Sequence, residues 1–540
     1  MPSVSDGLRS SVGLRFWWRT FEGVQDLFAE GHGAEGGADD PLPFKTYRGL
    51  PRHVLPEPAR RIGDARWSFE AFRAAHPREV PSLDALDQRT LSALLYWTYG
   101  VCRIELGPHA VWPYHRTVAS ARCFHPVELY VWLARPAGDL PAGCYHYDPA
   151  HHALTLLRAG GVPDAVRAAT GVRADIGLLV ASAWFRKTAF RYRDYAYRLC
   201  AQEAGMTLGN ALLTAAALGL YGRVHQRFGD AVVNRALGLD GREETAFAVI
   251  DLTPAEGVAS PPCAALQRPF AVAELPTLHP AHVQTNGTPS RAWSGLTTVD
   301  LAARLTGPGA PIAPDGFHLP DQAPDADGVL GLAGPEPGPG GVELAAALRA
   351  RDSGGRMFLP AALPVAFDHV ASALRYALEP VASDHTGARC RPLVDAHVLM
   401  LGADGASPGL YRLDASSGPP ALVRVPGRDW RAVLAMLCDR TPAVNSAKAG
   451  ALVFLTAHRV AGERWFGARG YRVLHQEAGI VAQRVGVLAA AAGLSVRVTN
   501  GYHDGMVREL IGVDAAHVPV FTLVVGRRRP TAQYEPQLTW

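Results

Sequence analysis

The chain has 540 residues, of which 48% are hydrophobic and 19% charged, so it has room for two or more domains with cores of their own. A net charge of +3 is too small to argue for a nucleic-acid or membrane partner. No apolar signal region opens the sequence and no run of about 18 apolar residues occurs. The seven scattered cysteines show no CxxC spacing, and a cytoplasmic chain with reduced thiols and no metal is expected.

Residues 1–80 read as an irregular leader with some helix over Leu14 to Phe28. A helix is expected over Leu83 to Tyr99, a strand over Val127 to Ala134, and a hairpin pairing Gly143–Asp148 with Leu154–Leu157. Ile176–Trp184 reads as a buried strand. Tyr195–Leu220 reads as a long helix closed by Gly219, and Ala246–Leu252 as a last strand. Residues 253–341 form a connector rich in Pro and Gly, whose stretch 306–341 reads as a surface loop.

The chain then repeats itself. Tyr197 to Asp240 aligns on Tyr471 to Asp514 at a constant offset of 274 residues, with 17 of 44 positions identical. Gln202-Glu203-Ala204-Gly205 matches Gln476-Glu477-Ala478-Gly479. The second copy is expected to run helix Pro364–Leu378, a hairpin arm at Gly409–Asp414, strand Ala451–Ala457, the long helix, and strand Val518–Val525. Ala388-Arg389-Cys390 corresponds to Ala121-Arg122-Cys123. Two copies of one unit in one chain imply a fused pseudo-dimer, able to act as a monomer. The order of elements is α+β. The boundaries are a leader at 1–80, domain 1 at 81–252, the connector at 253–341, domain 2 at 342–530 and a tail at 531–540.

Several stretches, in order over most of the chain, resemble one family. They are Arg116 to Tyr130, Gly143 to Asp148, the Tyr197-Arg198…Glu203-Ala204-Gly205…Leu220 helix, Arg351-Asp-Ser-Gly-Gly-Arg356-Met-Phe358, and Gly526-Arg527-Arg528-Arg529. The chain resembles the SagB/ThcOx-type peptide dehydrogenases of the nitroreductase-like flavoproteins, which oxidise azolines to azoles in ribosomally made peptides. The resemblance implies two fused nitroreductase-like domains, FMN as cofactor, a modified peptide as substrate, and cyclodehydratase partner proteins.

An FMN phosphate needs guanidinium forks and a hydroxyl. Arg351, Ser353 and Arg356 are placed for that by the resemblance, with Arg527, Arg528 and Arg529 approaching from the other end. From composition alone, the C-terminal arginines read equally as a solvated cluster. The halves differ. Domain 2 keeps a Gly-containing loop, Asn500-Gly501, where domain 1 has Gln226-Arg227. Bulk and charge there oppose close backbone approach to a flavin ring, so domain 2 is expected to hold the FMN. Where the family carries a Lys-Tyr pair, domain 1 has Arg191-Tyr192 and domain 2 has Trp465-Phe466. Domain 1 is therefore expected to lend Arg116, Ser120, Arg122, Arg191 and Tyr192 to domain 2's flavin, giving one active and one vacant site. Tyr192 is the candidate general base and Arg191 its modulator. A reductase fed by NAD(P)H, acting on an enone, dehydroamino acid or nitro group, is the second expectation, and a flavin-less scaffold the third.

Overall fold

A computed structural model describes residues 11–29, 40–59, 62, 85–107, 110, 112–254, 275–283, 293–306, 317–319, 328–332, 344–355, 358, 360, 363–385, 391–415, 420–440, 442–528, 536 and 538. The first half contains helix α1 (Val12–Thr20), strand β1 (Arg52–Val54) and helix α2 (Gln88–Tyr99). Strands β2 (Val127–Leu133), β3 (Gly143–Asp148), β4 (Ala153–Ala159) and β5 (Gly177–Trp184) follow. Then come α3 (Arg186–Tyr192), α4 (Ala196–Ala217), β6 (Leu220–His225) and β7 (Glu244–Pro254). The connector supplies helix α5 (Ser294–Ala302) and strand β8 (Val329–Gly331). The second half continues with α6 (Phe367–Ala377), β9 (Asp395–Met400), β10 (Gly409–Asp414), β11 (Ala421–Arg424) and β12 (Ala451–His458). It closes with α7 (Arg459–Phe466), α8 (Gly470–Ala491), β13 (Ser495–Thr499) and β14 (His517–Gly526).

The first sheet has the order β1-β4-β3-β2-β5-β7-β6 and the second β8-β11-β10-β9-β12-β14-β13. One is the other with every label advanced by seven. All neighbouring strands in both are antiparallel. The chain is thus α+β, two fused domains of one topology.

The long helices α4 and α8 pack on each other between the sheets. Each is apolar nearly all round and almost wholly buried, as a helix at the centre of two domains must be. They cross at the repeated Gln-Glu-Ala-Gly. A Cβ on Gly205 would run into the backbone of Gln476, and one on Gly479 into the backbone of Gln202. Only Gly permits that approach, and the contact is reciprocal because the two copies are related by a pseudo-twofold. α1 caps this crossing. Phe16 sits edge-on to the equivalent Tyr197 and Tyr471, with ring centroids 5.7 and 4.9 Å away, and Thr20 Oγ1 lies 2.9 Å from the Tyr471 hydroxyl.

Some boundaries differ from the sequence expectations. α2 starts at Gln88, not Leu83, because the Asp87 carboxylate caps it by accepting from Thr90 N at 2.7 Å. α6 starts at Phe367 because Val365–Ala366 pairs with Ala403–Asp404 as a short strand. The leader is not merely irregular, since β1 adds an edge to the first sheet by pairing with β4. The connector likewise gives the second sheet its edge, β8. Most of 306–341 lies outside the described residues, as do Ala388-Arg389-Cys390.

Candidate functional site

A cavity of about 860 Å³ opens where the halves meet, within the usual size of a small-molecule site. From the first half, a short antiparallel pair, Val101–Ile104 with Tyr114–Arg116, and the loop after it form one wall. The end of α3 adds Arg191 and Tyr192. Along α4, Leu199, Gln202, Glu203 and Met206 fall at helical spacing on one face toward the cavity. The second half contributes Arg351, Asp352, Ser353 and Gly355, the strand residues Arg497 to Thr499, and then Asn500 and Gly501.

The cavity therefore brings Arg116, Ser120, Arg122, Arg191 and Tyr192 of one half to Arg351, Ser353, Asn500 and Gly501 of the other. Arg351 is buried and donates across the halves, from Nε to Thr117 O at 3.0 Å and from Nη2 to Arg116 O at 3.3 Å. Asn500 and Gln202 exchange side-chain amide bonds at 2.8 and 3.1 Å. Ser120 Oγ accepts from His125 N at 2.9 Å. Arg527 stands apart from the cavity, its Nε donating to Pro364 O at 3.2 Å. Arg528 reaches the wall through Asp352, at 3.2 Å. Arg356 and Arg529 lie outside the described residues.

Arg116 is 1% exposed, and its guanidinium stacks on Tyr99 at 4.4 Å. Its Nε and Nη1 have no hydrogen-bond partner among the described residues. A buried guanidinium with empty donors is costly unless a ligand satisfies it. Arg103, Arg351 and Arg497 stand with Ser353 on the same cavity wall. Arg497 donates to the carbonyls of Ser353 and Gly355. This donor set fits a phosphate-bearing, hydrogen-bonding ligand such as FMN. On the floor, the Tyr99 hydroxyl donates to Glu203 at 2.5 Å, and His125 lies 3.6 Å from the same carboxylate. Burial holds His125 down at about 4, so it is neutral.

Sequence reasoning missed Arg103, Glu105, His115, Cys123, Glu203 and Arg497 as lining residues. Two carried a signal. Glu203 belongs to the repeated tetrapeptide, and Arg497 matches Arg223 in the alignment, on the strand leading to the Asn500-Gly501 loop. The histidines His146, His151 and His152, close in sequence, have different partners. His146 faces Glu128, His151 faces Asp148, and His152 faces Ser92. Among the described residues no group of three His, Cys, Asp or Glu could hold a metal, and no helix is long and apolar enough to cross a membrane.

The equivalent position in the other half is filled by the chain itself. The amides of Gln226 and Arg227, counterparts of Asn500 and Gly501, both donate to Asp384, at 3.1 and 2.8 Å. Arg469 donates to Gln226 O and stacks on Phe228 at 4.6 Å. Phe466 packs on His385.

Residues 424–527 match the Nitroreductase family model. The second half carries a nitroreductase-family domain. The chain is 30% identical to the microcin B17-processing protein McbC of Escherichia coli over 135 residues, 24% of this chain and 50% of McbC. It is 28% identical to the trifolitoxin-processing protein TfxB of Rhizobium leguminosarum bv. trifolii over 140 residues, 24% of this chain and 38% of TfxB. The chain thus spans half or less of the length of these curated relatives. A structure from Anabaena variabilis described as a nitroreductase superposes over 96% of this chain and 100% of its own, at a TM-score of 0.71 and 21% identity. That match shows the nitroreductase-like fold across both halves, of which only the second matched the family model.

Proposed function

We propose that the chain is an FMN-dependent oxidoreductase that modifies a ribosomally made peptide, converting azoline rings to azoles, with one flavin per chain. The observation that carries this reading is the buried Arg116 guanidinium with unpaired donors, in a cavity whose walls come from both halves. Arg351, Ser353, Arg103 and Arg497 would hold the phosphate, and Arg116, Ser120, Arg122, Asn500 and Gly501 would border the ring. Similarity to two peptide-processing proteins supports a peptide substrate, and cyclodehydratase partners belong to the same proposal.

Azoline oxidation removes two hydrogens from adjacent ring carbons, one as hydride and one as proton. When bound, FMN would supply the hydride acceptor, with O2 as the terminal oxidant. Tyr192 would take the proton as general base, with Arg191, beside it at the end of α3, as its modulator. Gln202 holds Asn500 and thereby the loop beside the ring. Arg351 ties the site's walls across the halves.

Tyr192→Phe tests this directly. Full flavin occupancy is expected with turnover lowered about 10²- to 10⁴-fold. Unchanged turnover would remove Tyr192 from the mechanism. Anaerobic mixing separates the competing activity, since a peptide substrate should bleach the flavin and NAD(P)H should not. Bleaching by NAD(P)H alone would favour a reductase.

A further inference from the structure

One buried amide joins the halves behind the cavity wall and has no part in the reading above. Gln483 lies on α8. Its Nε2 donates twice, to Asn210 Oδ1 on α4 at 2.8 Å and to Thr117 O at 3.1 Å. Both hydrogens of that nitrogen are thereby spent. Asn210 Nδ2 in turn donates to Trp97 O and Thr98 O, each at 3.2 Å, in the last turn of α2. Thr117 closes the network, its Oγ1 donating to Thr98 O at 3.0 Å. Gln483, Asn210 and Thr117 are all buried, where an amide left without partners is costly.

The network ends on the segment that builds the cavity. Arg116, Val118, Ala119 and Ser120 line the cavity on either side of Thr117. The Thr117 carbonyl also accepts from Arg351 Nε at 3.0 Å. Two donors from the second half therefore fill both lone pairs of one peptide group in the first. Peptide groups are planar, so holding that carbonyl holds the backbone from which the Arg116 side chain departs.

The repeat supplies an internal control. At the offset of 274 residues, Gln483 corresponds to Gly209 and Asn210 to Arg484. Arg484 performs the task of Asn210 in the other half, donating to the carbonyls of Ala377 and Glu379 at 3.4 and 2.6 Å, at the end of α6. Gly209 offers no side chain for the task of Gln483. The same long-helix packing thus forms around Gly209 on one side of the axis and Gln483 on the other. The extra amide reaches the wall segment that borders the cavity.

Resting on the FMN reading above, we propose that Gln483 is a positioning residue for the ligand of the cavity. From the opposite half it clamps Thr117 and Asn210, and so sets the Arg116 guanidinium and the wall that follows it. Ligand affinity then depends on Gln483 through Arg116.

The test is titration of the full-length apoprotein with FMN, read by flavin fluorescence. Urea unfolding of the same samples without FMN reads stability separately. Gln483→Met keeps the length of the side chain and removes both donors. It should weaken FMN binding about tenfold. Arg116→Met should weaken it about 10- to 100-fold. The double variant should bind no more weakly than Arg116→Met alone, because the clamp acts through the residue already removed. A side chain that served packing alone would weaken binding by the same factor in both backgrounds. That result, or unchanged affinity in Gln483→Met, overturns the proposal. Should Gln483→Met not fold, Gln483→Leu takes its place in the cycle, and failure of both to fold makes Gln483 a residue of the fold and overturns the proposal too. A wild-type protein that takes up no FMN would instead sink the flavin reading, so the two failures are distinct.

Discussion

At Asn500 and Gly501 the backbone after the long helix borders a cavity. At the equivalent Gln226 and Arg227 the same two amides are taken by Asp384, and Arg469 closes over them. The two loops occupy matching places in matching sheets, so fold cannot explain the difference. What differs is the segment that the opposite half sends across. The first half sends a short strand pair and a loop that line the same cavity as Gly501. The second half sends a tight stretch, whose Ser383 bridges directly to Val224 and whose Asp384 carboxylate then meets the amides. In one half a carboxylate occupies the two amides; in the other the equivalent residues border a cavity.

The most drastic way to break that comparison is to exchange the loops' residues. Gly501→Arg puts the bulk and charge of Arg227 beside the cavity, and flavin binding should be lost, read as flavin absorbance per mole of protein. Arg227→Gly should leave one flavin per chain, because Asp384 still holds the amides. Two flavins in Arg227→Gly, or full occupancy in Gly501→Arg, would end the division of labour between the halves.

Much of this asymmetry was legible in the sequence because it lies within an ungapped repeat. Positions 226–227 can be set against 500–501, and 191–192 against 465–466, with no structure in hand. The long helix was legible too, since its Gly-bearing tetrapeptide occurs twice. The edge strands β1 and β8 were not, for three residues carry no periodicity and their pairing is set by distant partners. The cavity-lining Glu105, His115 and Cys123 were equally hidden. Their placement depends on a bulged two-strand pairing and on left-handed residues whose identities, Arg, Cys and His, give no hint of positive φ. Arg527 misled in the opposite sense, because a basic residue after a last strand says nothing of which way its side chain turns.

A second pair of equivalents sharpens the contrast at the interface. Asp230 receives Arg469 and Arg472, each at 2.7 Å, with all three side chains buried. Among the described residues its counterpart Asp504 has no such clamp. Burial raises the Asp504 carboxyl to about 7, and the nearby Arg198 is served instead by the Tyr502 hydroxyl at 2.5 Å and by the carbonyls of Pro519 and Val520. Asp230→Ala should therefore cost about 3–5 kcal/mol, since it strands two buried guanidinium groups. Asp504→Asn should stay within about 1 kcal/mol. Urea unfolding of both variants at pH 7 measures this, and equal losses would mean that the two ion sites are interchangeable.

The smallest expected effect concerns the glutamates of the repeated tetrapeptide. Glu203 faces the cavity and accepts from Tyr99, whereas Glu477 is enclosed, its Oε1 unbonded and His385 3.5 Å away. Burial raises Glu477 to about 7 from an ordinary carboxylate value. The folded state then keeps a proton that the unfolded chain has already released, so Glu477's contribution to stability is full below about pH 4 and fades as pH rises through about 7. That fade is on the order of 2–3 kcal/mol. His385 acts in the opposite direction. Burial lowers it to about 4, so its contribution is full above the ordinary histidine pKa and is lost as pH falls toward about 4. The raw stability profile mixes both, and the informative quantity is the difference between Glu477→Gln and wild type. That difference should shift in the variant's favour between about pH 5 and pH 8. A flat difference would show that Glu477 is ionised throughout.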